Sequence, residues 1–129
     1  MNPDLNVVVL DDNIARFRDD FESRLPGGAH ASFPDRTDET AVQEALRDAH
    51  VLVSAAFTAD TAAMAKDLRL LLVPGAGLNG VDRAALPADV PVCKTFHHED
   101  SIAEYVVAAS VLLRRGFLTQ DAALRTGRW

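Results

Sequence analysis

Short apolar runs recur along the first three quarters of this chain, and each ends at a turn former or a helix cap. Residues 5–10 read LNVVVL and run straight into Asp11-Asp12-Asn13. Consecutive apolar positions leave no polar face, which is the pattern of a strand covered on both sides in a parallel sheet. The next stretch has a different period. Ile14, Phe17, Phe21 and Leu25 recur at spacings of three and four, the stripe of an amphipathic helix. Asp12 or Asn13 is its expected cap, and Pro26-Gly27-Gly28 stops it.

The alternation then repeats. Residues 29–33 form a weak strand ended by Pro34, and Thr37 or Asp38 caps a second helix with Val42, Ala45, Leu46 and Ala49 inward. Residues 50–55 (HVLVSA) are a third strand. Thr58 caps a third helix running through Met64 and Lys66, and residues 68–73 (LRLLLV) are a fourth strand. A glycine-rich turn, a short segment at 81–86 and a fifth strand at 90–95 follow. A long helix at 101–115 and a further one at 117–125 complete the chain. Strand–helix alternation of this kind predicts an α/β, flavodoxin-like three-layer domain: a five-stranded parallel sheet, right-handed crossovers and a long C-terminal helix. All 129 residues are expected to form one domain.

Charge and composition narrow the partners. The formal net charge is −6, which disfavours phosphate backbones and anionic lipid, so neither nucleic acid nor membrane is an expected partner. A single cysteine, Cys93, excludes an internal disulfide framework, and its place in an apolar strand predicts a buried, unreactive thiol. Met1-Asn2-Pro3-Asp4 shows no secretory pattern, and no run approaches the ~20 apolar residues of a membrane helix. A cytoplasmic location is expected. Helix 101–115 is apolar nearly all round through Ile102, Tyr105, Val106, Val107, Val111, Leu112 and Leu113, which predicts burial on more than one side. One side is expected on the sheet and the other on a second body.

Four constellations carry possible chemistry. Gly75-Ala76-Gly77-Leu78-Asn79-Gly80 spells the dinucleotide fingerprint G-x-G-x-x-G, with Glu99 or Asp100 about 20 residues on. Pro74 interrupts its entry, Pro87 and Pro91 leave room for only about two helical turns, and it belongs to the fourth strand rather than the first. A glycine-rich loop there still offers backbone amides to a small carboxylate, or it is merely a tight turn. Asp11-Asp12 with Lys94-Thr95 has the layout of a phosphorylatable receiver domain. The third strand, however, ends in Ser54-Ala55-Ala56 where that chemistry needs an aspartate, so helix capping is the better reading of the acids. His97-His98-Glu99-Asp100 lacks the i, i+4 spacing of a helical metal site and reads as a polar loop. Ser101-Ile102-Ala103-Glu104 has the form of a capping box.

Residues 68–129 resemble the later part of the first lobe of D-isomer-specific 2-hydroxyacid dehydrogenases. The resemblance rests on Gly75-Ala76-Gly77-Leu78-Asn79-Gly80-Val81-Asp82, on Leu86-Pro87 before a short strand, and on His98-Glu99-Asp100-Ser101-Ile102-Ala103-Glu104. It ends on Arg114-Arg115 and Gly127-Arg128-Trp129. The earlier half shares only strand–helix order. The resemblance implies a substrate-binding lobe in which backbone amides of Ala76, Gly77 and Leu78 take the substrate carboxylate and Ser54 and Ala55 line the opposite wall. It implies a homodimer through residues 101–115, or a separate cofactor lobe as partner, and a small 2-hydroxy or 2-oxo acid as ligand. NAD(H) or NADP(H) is the cofactor of the complete family. The family's own nucleotide-binding segment and its catalytic arginine, glutamate and histidine have no counterpart here, and His97 and His98 do not match that histidine. No catalytic, cofactor-binding or metal-ligating residue is therefore expected, and no dehydrogenase activity from this chain alone. The alternatives are a dimerising α/β interaction module without ligand, or a receiver-like domain lacking its phosphoacceptor.

Overall fold

The computed structural model describes residues 4–128. Met1-Asn2-Pro3, where no secretory pattern was read, and Trp129, the last residue of the Gly-x-Trp signature, lie outside the described residues. The chain divides between Thr95 and Phe96 into two compact units.

The first unit is built on the expected sheet. Strands β1 (Leu5–Val9), β2 (Ala29–Ser32), β3 (Val51–Val53), β4 (Leu70–Val73) and β5 (Val92–Lys94) are all parallel, in the order β2-β1-β3-β4-β5. The chain starts near the middle, builds outward to β2, then crosses back to add β3, β4 and β5. The direction reverses between β1 and β3, and their C-terminal ends open the crevice in which open α/β sheets bind ligands.

Register explains the core. Val8 pairs with Leu52, and Leu52 with Leu71, so these three side chains share a face. They join Leu46, Ala49, Phe57, Ala65 and Val73 in the main cluster, under α3 (Glu39–Arg47) and α4 (Ala59–Met64). The alternate residues Val7, Val9 and Val53 face the other way, against Ile14, Phe21 and Leu25. Leu52, Leu71 and Phe57 are fully buried, each stabilising the fold by about 1.5–3 kcal/mol relative to exposure.

The helices differ from expectation in detail. The predicted single helix after β1 is two short ones, α1 (Asp12–Ala15) and α2 (Arg18–Ser23), broken at Phe17, whose ψ of 30° leaves the helical region. Phe17 consequently points to solvent, whereas Ile14, Phe21 and Leu25 keep their inward positions. The cap of α1 is Asp11 rather than Asp12 or Asn13: its Oδ1 accepts from the amides of Asn13 and Ile14 at 3.0 Å each. Asp38 caps α3, while Thr37 is held by Asp35. Thr58 caps α4 as expected, but α4 stops at Met64, short of Lys66. Cys93 is exposed rather than buried, because β5 is an edge strand of three residues and Cys93 alternates away from half-buried Val92 and Lys94.

The second unit is a helical hairpin, α5 (Glu99–Arg114) and α6 (Phe117–Arg125), joined at Gly116 with φ 60°. The helix starts two residues before the expected Ser101, so no Ser101–Glu104 capping box forms. His97, in the left-handed region at φ 65°, leads into the first turn, where Glu99 and Asp100 favour the positive end of the helix dipole. The Glu99 carboxyl is held below its usual range chiefly by its own backbone amide, against an opposing desolvation, with smaller contributions from the charge on His98 and from the His98 and His97 amides. Within the hairpin neither helix buries a residue: Tyr105 is 76% and Leu113 77% exposed. The apolar surface is present as read.

Candidate functional site

Two loops leave adjacent strands at the C-terminal edge of the sheet. The first follows β3 and carries Ser54, Ala55, Ala56 and Phe57. Ser54 is buried, and its Oγ accepts from the Ala56 amide at 3.1 Å, which folds the loop into a tight turn and leaves Ala55 and Ala56 exposed. The second loop follows β4 and carries Gly75 to Gly80.

The two loops are strapped together. The Phe57 amide donates to the Gly80 carbonyl at 2.9 Å, and the Asp82 amide donates to the Phe57 carbonyl at 2.8 Å, making a parallel bridge between Phe57 and Val81. Gly80 is a glycine because of this approach. A Cβ there would lie 2.4 Å from the Ala55 carbonyl oxygen and 3.4 Å from the Ala56 Cα. By contrast, a Cβ on Gly75 or Gly77 would meet nothing within 4 Å, so the loop surface there is open.

β5 holds the glycine loop from its other side. The Thr95 amide donates to the Gly75 carbonyl at 3.3 Å, and Lys94 Nζ donates to the Ala76 carbonyl at 3.0 Å. Peptides are planar, and none of the described ones is cis, so each N–H points opposite to the carbonyl of its own unit. Turning the Gly75 and Ala76 carbonyls toward the end of β5 therefore turns the Ala76 and Gly77 amides away from it. Neither amide donates to any group among the described residues. Two successive amides with no acceptor among the described residues thus lie on an open glycine surface. The Leu78 amide also lacks an internal acceptor, while its carbonyl takes the Val81 amide at 3.1 Å and its side chain packs on the main core.

The same geometry does not fit a dinucleotide. A pyrophosphate site needs a helix opening after the glycines and a third glycine that packs helix on strand. Here Gly80 packs against Ala55, and the chain enters a turn in which Asp82 Oδ1 accepts from the amides of Ala84 and Ala85. The receiver-like layout is also differently engaged: Asp11 caps α1, Asp12 pairs with Arg36 at 2.9 Å, and Lys94 sits on the glycine loop. Among the described residues no three histidine, cysteine or carboxylate side chains converge to hold a metal. A surface groove of about 510 Å³ between α3 and α4 is lined by Arg36, Glu39, Gln43, Asp60 and Met64, and Arg36 is already paired with Asp12.

Thus Ser54, Ala55, Ala76, Gly77 and Leu78, singled out in the sequence, lie on two loops that the structure brings together. Gly80 and Lys94, which hold those loops, were not assigned that part. The one available signal was a lysine ending an otherwise apolar strand.

Solved structures share this architecture. A D-isomer specific 2-hydroxyacid dehydrogenase family protein from Aeromonas salmonicida subsp. salmonicida A449 matches with a TM-score of 0.72 at 16% identity, over 98% of this chain and 41% of that one. The 2-hydroxyacid dehydrogenase from Ketogulonicigenium vulgare Y25 gives 0.74 at 19% identity, with the same coverage. An NAD-dependent formate dehydrogenase from Staphylococcus aureus, solved in complex with NAD, gives 0.61 at 20% identity over 96% of this chain and 42% of its own. The chain has the fold of one lobe of a D-isomer specific 2-hydroxyacid dehydrogenase. It spans about two fifths of the length of the dehydrogenases it matches. No protein-family model and no curated protein matches the sequence. No helix among the described residues is long and apolar enough to cross a membrane.

Proposed function

We propose that this chain is the substrate-binding lobe of a cytoplasmic 2-hydroxyacid dehydrogenase system, holding a small 2-oxo or 2-hydroxy acid by its carboxylate. The observation that carries this reading is the pair of outward amides at Ala76 and Gly77, fixed by the bonds from Thr95 and Lys94. In this reading Ala55 and Ala56, exposed on the neighbouring loop, line the other wall, which suits a small, uncharged substrate tail; a phosphorylated tail would call for arginine. Hydride transfer also needs a nicotinamide held against the substrate carbon. The Gly75–Gly80 loop does not fit that cofactor, so NAD(H) or NADP(H) would come on a second lobe, and the 129-residue chain alone reduces no 2-oxo acid.

A thermal-shift titration with NADH and a panel of small 2-oxo and 2-hydroxy acids tests this. A ligand at about 100 times its Kd adds roughly 2.7 kcal/mol to stability. A shift with an acid and not with NADH is expected, and a shift with NADH would overturn the assignment of the loop. No shift with either would favour a second reading, an interaction module that dimerises through residues 101–115. The exposed Tyr105, Val107 and Leu113 motivate that reading, since a patch of this kind on a free surface invites association.

A further inference from the structure

We propose that an apolar pocket beside β5 is a second ligand site, taking a small monocarboxylate with a ring or short alkyl body, and that Arg83 selects the charge of that ligand. The pocket lies wholly within the first unit, and neither Ala76 nor Gly77 lines it, so this site does not rest on the acid-binding reading above.

The pocket exists because the crossover from β4 to β5 is not a helix. Residues 81–90 turn through Asp82, whose Oδ1 accepts from the amides of Ala84 and Ala85, and reach β5 by way of Pro87. A turn covers less of the sheet than the helices α3 and α4 do, and a concavity of about 380 Å³ remains. Buried Val81 and Val90 and half-buried Leu78, Leu86 and Val92 line it. Small-molecule pockets begin at about this size, and most are apolar with a few polar groups that fix the ligand's orientation. Here the one charged lining residue is exposed Arg83. Its guanidinium has no hydrogen bond or ion pair among the described residues, whereas those of Arg24, Arg36 and Arg125 are each bonded to an aspartate. The acids next to it in sequence do not oppose this use: Asp82 is held by its own turn, and Asp89 does not line the pocket. An apolar interior with one free cation complements an anion that carries an apolar body. Burial of that body supplies most of the affinity, and the guanidinium, screened by solvent, adds discrimination.

The test titrates phenylacetate and its neutral amide, phenylacetamide, into the full chain and follows methyl and backbone amide resonances by NMR. Both compounds are expected to shift the methyls of Leu86, Val90 and Val92. Phenylacetate is expected to bind about fivefold more tightly at low salt, the upper range for one exposed ion pair. Arg83→Met keeps the apolar stem, removes the charge and changes an exposed position, so the fold is retained. It is expected to abolish the preference for phenylacetate and to leave phenylacetamide unchanged. Shifts confined to the amides of residues 75–80 would put phenylacetate on the glycine loop and overturn the pocket. No methyl shift with either compound would overturn it as well. Equal affinity of the unmodified chain for the two compounds, or a preference that survives Arg83→Met, would refute the selection of a carboxylate by Arg83.

Discussion

Gly80→Ala is the substitution whose consequence the structure fixes most tightly. The new methyl would lie 2.4 Å from the Ala55 carbonyl oxygen, closer than any real Cβ contact, and the obstacle is backbone rather than a side chain that can swing aside. The two loops must therefore part, straining or breaking the bonds from Phe57 to Gly80 and from Asp82 to Phe57. Overpacking of this kind costs about 1–3 kcal/mol, and each backbone bond lost adds roughly 1 kcal/mol. Alanine's smaller unfolded-state entropy returns only about 0.4–1 kcal/mol. The balance is a loss of about 2 kcal/mol, which at this length corresponds to a drop in Tm of roughly 6–12 °C. Thermal unfolding followed by circular dichroism reads it directly. Gly77→Ala is the control: it adds the same methyl three residues away, in open space and without a positive φ, so stability should stay level or rise slightly. A Gly80→Ala protein melting within about 2 °C of the unmodified chain would refute the strap, since that is less than 1 kcal/mol at this size.

Three further outcomes follow from other parts of the molecule. Leu52→Ala, at a fully buried position in the centre of the sheet, should cost about 2–5 kcal/mol in urea unfolding. Asp11→Ala removes the acceptor of two amides at the start of α1 and should cost about 1 kcal/mol in the same assay, whereas Asp12→Ala, which breaks only an exposed pair with Arg36, should cost well under that. The Glu99 carboxyl is depressed in the folded chain, so its contribution is present above the ordinary glutamate range and is lost as pH falls through the folded value. Helicity of the hairpin should therefore decline on acidification by circular dichroism, and Glu99→Gln should flatten that decline. An equal decline in the variant would show that Glu99 does not hold the first turn.

The sheet was legible because its signal is redundant. Residues 7–10, 51–53 and 70–73 are apolar on consecutive positions, short runs bounded by turn formers that suit a strand covered on both faces, and β1, β3 and β4 fall on them. Finer features were lost where two local solutions have similar energy. Asp11 and Asp12 are equally good caps, and the choice depends on where Leu10 leaves the sheet, its amide being held by the Val53 carbonyl at 2.8 Å. Phe17 satisfies helical periodicity, yet the break at that residue turns it out, because α1 and α2 need not share an axis. Cys93 was misjudged because apolarity alone does not distinguish a central strand from an edge, and the order of strands is a long-range property. The hairpin shows the reverse limit. Its pattern demands cover, and sequence reports the demand without naming what meets it. At the site, the glycines announced a loop that approaches something closely, but whether that something is a ligand or the neighbouring loop depends on contacts between residues 25 positions apart, such as Ala55 and Gly80.

That distinction explains how a G-x-G-x-x-G string can occur without the architecture of a nucleotide site. In a dinucleotide site the second glycine admits the pyrophosphate and the third lets the following helix close on the strand. Here Gly75 and Gly77 leave open space above the loop, as a ligand site requires, but Gly80 makes room for the Ala55 carbonyl, and no helix follows to lend its dipole. Without that dipole, two amides are too little to hold a dianionic pyrophosphate. The discriminating residues in the sequence are therefore those after the glycines. Val81 joins the bridge to Phe57, Asp82 turns the chain through Ala84 and Ala85, and Pro87 bars a long helix. A chain with the same glycines but a helix-forming segment in place of residues 82–87 would present a different electrostatic surface, and with it a different ligand.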